Sequence, residues 1–153
     1  TRAAEQGVAF AQNNLGSMYY NGYGVPQDYK TAVKWYTRAA EQGVAVAQFN
    51  LGGMYDIGEG VPQDYKTAVK WYTRAAEQRE ASAQTNLGHM YATGRGVLQN
   101  DVYAHMWFNI AAFNGEEKSS KKRNEVAKRM TTEQIAEAQK LARECVAKNY
   151  KGC

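Results

Sequence analysis

The chain is poor in residues that stiffen or cross-link a backbone. Two prolines among 153 residues leave room for long uninterrupted helices. The only cysteines, Cys145 and Cys153, lie near the C-terminal end, so no disulfide framework braces the body of the chain. A bridge between them requires the tail to fold back in an oxidising compartment. Otherwise Cys145, four residues after Leu141 on a helical pattern, reads as a small buried apolar side chain. The two histidines, His89 and His105, are sixteen apart with no cysteine or carboxylate at ligand spacing, which excludes a recognisable metal centre.

Other signatures are missing too. No apolar run approaches the roughly 18–20 residues of a membrane span. No basic start followed by an apolar stretch marks a leader. There is no nucleophile elbow, and GYG and GEG lack the spacing and preceding strand of a phosphate-binding loop. Asp56 and Glu59 are close in sequence, but two carboxylates at an exposed helix end make a poor acid–base pair. No catalytic residue, cofactor or metal is therefore expected.

The net charge of +4 is unevenly spread. Residues 1–115 hold nine Lys/Arg against nine Asp/Glu, whereas residues 116–153 hold ten against six. The basic excess is thus confined to the C-terminal segment, where Lys121, Lys122 and Arg123 run together. That run reads as a solvated helix face or, alternatively, as an electrostatic binding module.

What the chain does have is repetition. "GVPQDYKTAVKWYTRAAEQ" stands at residues 24–42 and again, unchanged, at 60–78. Residues 1–36 and 37–72 agree at thirty of thirty-six positions, and residues 73–108 agree with the second copy at twenty. Self-similarity at this period marks units that cannot bury their apolar faces alone and therefore stack.

Each unit reads as two helices. Helix A covers 9–21, 45–57 and 81–93, with Leu15, Met18 and Tyr19, or Leu51, Met54 and Tyr55, on one face. Gly16, Gly52 and Gly88 interrupt it at a fixed phase, at a cost of about 1 kcal/mol each in an isolated helix, which points to close approach of a neighbouring helix. A glycine after helix A suits a left-handed cap, and Asp28, Asp64 and Asn100 are N-cap candidates for helix B. Helix B carries Ala32, Trp35, Tyr36, Ala39 and Ala40 as a packing stripe, and the fixed phase of Trp35, Trp71 and Trp107 assigns all three to the core.

After residue 108 the pattern decays. A short helix near 119–130 contributes Val126 and Met130. Thr131 with Gln134 is a capping-box candidate for a last helix, whose inward stripe is Ile135, Ala138, Leu141, Ala142, Cys145 and Val146. Such a polar helical end piece would shield the last repeat. The organisation expected is a repeat array over 1–115, followed by a helical capping segment and tail over 116–153. Thr1 to Gly7 corresponds to the close of a helix B, so the chain reads as part of a longer array, with self-association through that end as one possibility.

The run A-x-x-x-LG-x-MY-x-x-G-x-GV-x-QD-x-x-x-A-x-x-WY-x-x-AA-x-x-G resembles the Sel-one-like repeat, a relative of the tetratricopeptide repeat. The resemblance covers about residues 1–115, and "AKRMTTEQIAEAQKLARE" is similar to helical segments that close such arrays. It implies an all-α fold, an α/α solenoid built as a right-handed superhelix of helix–turn–helix repeats. It also implies a non-catalytic scaffold for protein partners in signalling, secretion, envelope or quality-control assemblies, and favours a periplasmic or secreted setting. Some members carry a bridge in each repeat and have been linked to β-lactam binding, but no repeat here contains a cysteine. A hydrolase of the β-lactam or cell-wall type is therefore the alternative reading.

The first two copies differ at only six positions: Phe10/Val46, Asn13/Phe49, Ser17/Gly53, Tyr20/Asp56, Asn21/Ile57 and Tyr23/Glu59. The first four pairs recur at steps of three, four and three, along one face of helix A. The resemblance implies that this face lines a concave groove for a peptide or a partner's helix, to which the third copy adds Ser82, Thr85 and His89, with Ala92 and Thr93 beyond them. Asn14, Asn50 and Asn86 keep one phase beside the stripe and could either hydrogen-bond an extended peptide or fix a neighbouring turn. An outer helix face would fill with Lys and Glu, whereas this one is aromatic and aliphatic. It also lacks the Lys or Arg of a carboxylate clamp. No nucleic-acid partner is expected.

Overall fold

The computed structural model describes residues 1–153 and is entirely helical. In chain order the helices are α1 (Arg2–Glu5), α2 (Ala9–Asn21), α3 (Tyr29–Glu41), α4 (Ala45–Ile57), α5 (Tyr65–Ala76), α6 (Ala81–Thr93), α7 (Asp101–Phe113), α8 (Lys118–Ala127) and α9 (Thr132–Ala147). None is long and apolar enough to cross a membrane. The chain clusters into two compact units, Thr1–Trp71 and Tyr72–Cys153, described separately below. α8 and α9 both pack on α7 of the third repeat.

In the first unit α3 packs against α2 and α4. Ala32, Tyr36, Ala39 and Ala40 of α3, Ala47, Leu51 and Met54 of α4, and Trp71 form its buried core. Four alanines against a few large side chains let the helices approach closely. The closest approach falls at Gly16, where an added Cβ would stand 2.7 Å from the Tyr36 ring. The glycine expected to admit a neighbour does so, and that neighbour is the tyrosine of helix B.

Trp35 departs from the sequence expectation. It is only half-buried, with the Arg38 guanidinium 4.8 Å from its ring centre, while Trp71 and Trp107 are buried. The aromatic that is sealed in every repeat is its neighbour: Tyr36, Tyr72 or Phe108.

Each helix A ends as its glycines predict. Gly22, Gly58 and Gly94 take φ of 72°, 78° and 72°, the left-handed region open to glycine without steric cost. The N–H of Tyr23 donates to the Met18 carbonyl, as does that of Glu59 to Met54 and that of Arg95 to Met90. Asp28 then caps α3, accepting from the Thr31 N–H at 3.2 Å and the Thr31 hydroxyl at 2.7 Å. Asp64 does the same for α5 through Thr67, and Asn100 caps α7 by accepting from the Tyr103 N–H.

In the second unit α7 packs against α6, α8 and α9. Ala104, Phe108 and Val126 form one buried cluster, with Met130 half-buried beside it. Arg129, just after α8, donates two 2.7 Å bonds to the Asp101 carboxylate and a third to the Ala92 carbonyl. The Thr131–Gln134 capping box is present, with both reciprocal bonds made. Along α9, Ala138, Ala142 and Cys145 are buried and Ile135 and Leu141 half-buried. Val146, expected on the inward stripe, is exposed.

Cys145 is bridged to Cys153, so both readings of it hold: it is buried, and the tail folds back. The Tyr150 hydroxyl donates to Asn114, the Gly152 N–H donates to Glu77, and the Arg79 guanidinium lies 5.6 Å from the centre of the Tyr150 ring.

Candidate interaction site

The first unit contains an open hollow of about 350 Å³ between α2 and α4, floored by Tyr36 and Met54. Ser17, Tyr20 and Asn21 line one side, and Phe49, Asn50, Gly53 and Ile57 the other. The α2 wall is anchored from below, because Ser17 Oγ and the Tyr36 hydroxyl are 3.0 Å apart and share a hydrogen bond. Gly53, where the first copy has Ser17, removes a side chain from the α4 wall and widens the hollow. Asn21 donates to the Ser17 carbonyl, which fixes its amide against the helix end.

The rim is chemically mixed. The Tyr20 ring lies 5.3 Å from that of Tyr29, tilted at 48°. Burial, then the neighbouring Glu59 carboxylate, raises the Tyr20 phenol above its ordinary pKa. Tyr36 is raised as well, by burial, against an opposing effect of the Ser17 hydroxyl. Both phenols therefore stay protonated at neutral pH and can donate hydrogen bonds. Glu59 Oε2 is sealed from solvent without a hydrogen-bond partner.

Several expected groove residues lie elsewhere. Asn13 is 8% exposed, so it belongs to the helix–helix seam and not to an open face. The Asn50 amide reaches it at 3.5 Å, the outer limit of a hydrogen bond. Asn50 thus both lines the hollow and touches the seam. Phe10 and Val46 are exposed, yet neither lines the hollow, and Asn14 is exposed as well. Asp56 is half-buried outside the lining.

The third copy does not repeat the arrangement. Thr85 is 8% exposed, its hydroxyl 2.6 Å from that of Ser119 on α8. Ser119 is itself fully buried, so α8 covers this part of α6. Ser82 and Asn86 are half-buried, and His89 is exposed. The period explains the covering: Ser119 stands thirty-six positions after Ala83 and Val126 thirty-six after Met90. α8 is thus a helix A in disguise, with its apolar pattern mostly replaced by charge.

A set of buried glutamines escaped the sequence reading. The Gln12, Gln48 and Gln84 amides donate to the carbonyls of Ala4, Ala40 and Ala76 at 3.1, 3.0 and 3.1 Å. Gln12 Oε1 accepts from Gln42, and Gln84 Oε1 accepts from Asn114. Each ties the end of one helix B to the following helix A, adding a second donor to a carbonyl that already accepts from the N–H of Gly7, Gly43 or Arg79, and pairing the buried amide itself. The signal was visible: one polar residue at a fixed phase within an otherwise apolar helix face.

The Lys121–Arg123 run also splits. Lys121 and Lys122 are exposed, whereas Arg123 is half-buried and donates to Asn109 at 2.8 Å. The three cations therefore do not form one face.

Helix hairpins of constant period, tied by the same caps and glutamines, define an all-α repeat protein of the α/α solenoid class. The Sel1 repeat family model matches residues 9–44, 45–79 and 81–115, together most of the sequence. The chain belongs to the Sel1 repeat family. It is similar to a Sel1 repeat protein from Oxalobacter formigenes, with 32% identity over 92% of this chain and a TM-score of 0.79. It is also similar to c5321, a protective antigen of uropathogenic Escherichia coli displaying an SLR fold, with 30% identity over 97% of this chain and a TM-score of 0.66. The chain spans 65% and 40% of the lengths of those two proteins. Helicobacter pylori cysteine rich protein B shares the fold, with 21% identity over 78% of this chain and 91% of its own, and a TM-score of 0.64. No curated protein matches the chain. Sel1 repeat proteins are generally non-catalytic scaffolds for protein–protein interaction.

Proposed function

We propose that the chain is a protein-interaction scaffold and that the hollow between α2 and α4 receives a side chain or short segment of its partner. One observation carries this reading. Six of the nine lining residues (Ser17, Tyr20, Asn21, Phe49, Gly53 and Ile57) stand at positions where two nearly identical repeats differ. Packing constrains the seams most, so a duplicated unit varies mainly where it faces something other than itself. Half of the twelve residues at the six differing positions line this one concave surface, although Asn13 lies in the seam.

The chemistry suits a partner with an apolar anchor flanked by hydrogen-bonding backbone. Phe49, Ile57 and the Tyr20 ring offer apolar contact, and the Tyr20 phenol and Asn50 amide offer donors. A rim of this kind holds extended peptide or the exposed face of a helix.

The test is selection of peptides from a displayed library against the full chain, followed by affinity measurements on variants. Phe49→Ala and Tyr20→Ala should each weaken the selected peptides at least about tenfold, with melting temperatures nearly unchanged. Leu98→Ala, at an exposed loop position away from the hollow, serves as the control. If the hollow variants bind as tightly as the parent, or lose binding only through unfolding, the assignment fails.

A further inference from the structure

A second hollow, unrelated to the repeat variation, lies in the second unit among α7, α8 and α9. It comprises two cavities of about 450 and 460 Å³ that share Asn109, Arg123 and Arg143 as lining residues. From these features we infer that the hollow binds an amphipathic carboxylate, with its head group between Arg123 and Arg143 and its apolar body against Ile110, Phe113 and Val146.

The walls differ in character. One cavity is lined by Ile110, Ala112, Phe113, Ala142 and Val146, and Phe113 is 74% exposed at its edge. The other is mixed, with His105, Asn124 and Gln139 beside Ala127 and Ile135. No carboxylate lines either one, so the protein itself supplies no counter-charge there.

The cations are correspondingly under-used. Arg123 is half-buried and makes three hydrogen bonds, all to the neutral amide oxygens of Asn109 and Asn124. A guanidinium has five N–H donors, so two remain without a protein partner. A partly desolvated cation held only by amides gains most from an anion. Arg143, on α9, is exposed and lines both cavities together with Arg123.

Beneath them His105 is 3% exposed, and its Nδ1 has no hydrogen-bond partner. Burial and then the Arg123 charge lower its pKa, so the ring is neutral at pH 7 and adds no third cation. An unpaired ring nitrogen on the cavity lining is open to a hydrogen bond from whatever occupies the cavity.

The balance of surfaces selects the ligand class. Inorganic phosphate would engage the guanidiniums but leave the apolar wall wet. A neutral alcohol would fill the wall and leave the cations unpaired. A carboxylate on an aliphatic or aromatic body satisfies both at once, and the volumes fall within the range of small-molecule sites.

Calorimetric titration of the full chain with sodium octanoate tests this, with 1-octanol and inorganic phosphate titrated in parallel. Expected are saturable single-site binding of octanoate, binding of the alcohol and of phosphate at least about tenfold weaker, and a saturable shift of the His105 ring resonances. Arg143→Gln, at an exposed residue with no ion pair, should weaken octanoate at least about tenfold without loss of fold, and Arg123→Gln should do likewise. Absence of saturable octanoate binding overturns the proposal. So does equal affinity for 1-octanol or phosphate, or undiminished binding by folded Arg143→Gln.

Discussion

Gly88 of α6 lies directly against Phe108 of α7: a Cβ on the glycine would stand 2.9 Å from the ring. Phe108 is fully packed and has nowhere to move. Gly88→Ala gains about 1 kcal/mol of helix propensity but incurs an overpacking cost of about 1–3 kcal/mol. Net destabilisation is expected in urea unfolding, and Phe108→Leu added to Gly88→Ala should recover part of it. A stabilised Gly88→Ala variant would show that the contact is not constraining.

The tryptophans of successive repeats should differ in worth although their sequence positions are equivalent. Trp71→Ala empties a buried site and should cost about 3–5 kcal/mol. Trp35 is half-buried, so Trp35→Ala should cost less than half as much in the same denaturant assay. Equal losses would contradict the observed packing.

Acid should unmask the caps. The Thr31 hydroxyl, then its backbone N–H, holds the Asp28 carboxyl below its usual pKa, and Thr67 does the same for Asp64. A depressed carboxyl contributes stability that is present above its unfolded value, about 3.9, and lost as pH falls through the folded value. The melting-temperature gap between the parent and Asp28→Ala/Asp64→Ala should therefore be constant from pH 7 to 5 and close below about pH 4.

Reduction should release the tail. Cys145 and Cys153 are eight residues apart, a short loop whose closure is worth about 2–3 kcal/mol in the chain-entropy account. Cys153→Ser should lower stability by up to that amount and speed amide exchange at Tyr150, whose N–H donates to the Cys145 carbonyl at 2.8 Å. Unchanged exchange would mean that the Tyr150 and Gly152 contacts alone hold the tail.

Helix boundaries were readable because local chemistry sets them. The 9–21, 45–57 and 81–93 helices begin and end where the sequence placed them, and the glycine caps and Asp/Asn N-caps act within a few residues of their partners. The same holds for the Thr131–Gln134 box. Burial of individual stripe residues was harder to read. Asn13 and Phe49 share a phase, yet the asparagine is in the seam and the phenylalanine lines the hollow. A helical wheel orders positions around one helix but carries no information about how deep its neighbour sits.

Sequence alone thus determined the period, the helices, their caps and the family, because these depend on contacts a few residues apart or on repetition itself. Tertiary structure decided which tryptophan is covered, that α8 closes over Thr85, and that Arg123 turns away from its lysine neighbours into a cavity. Those outcomes depend on residues about thirty positions away or on three helices meeting, and steric exclusion there acts between surfaces that a linear pattern does not bring together.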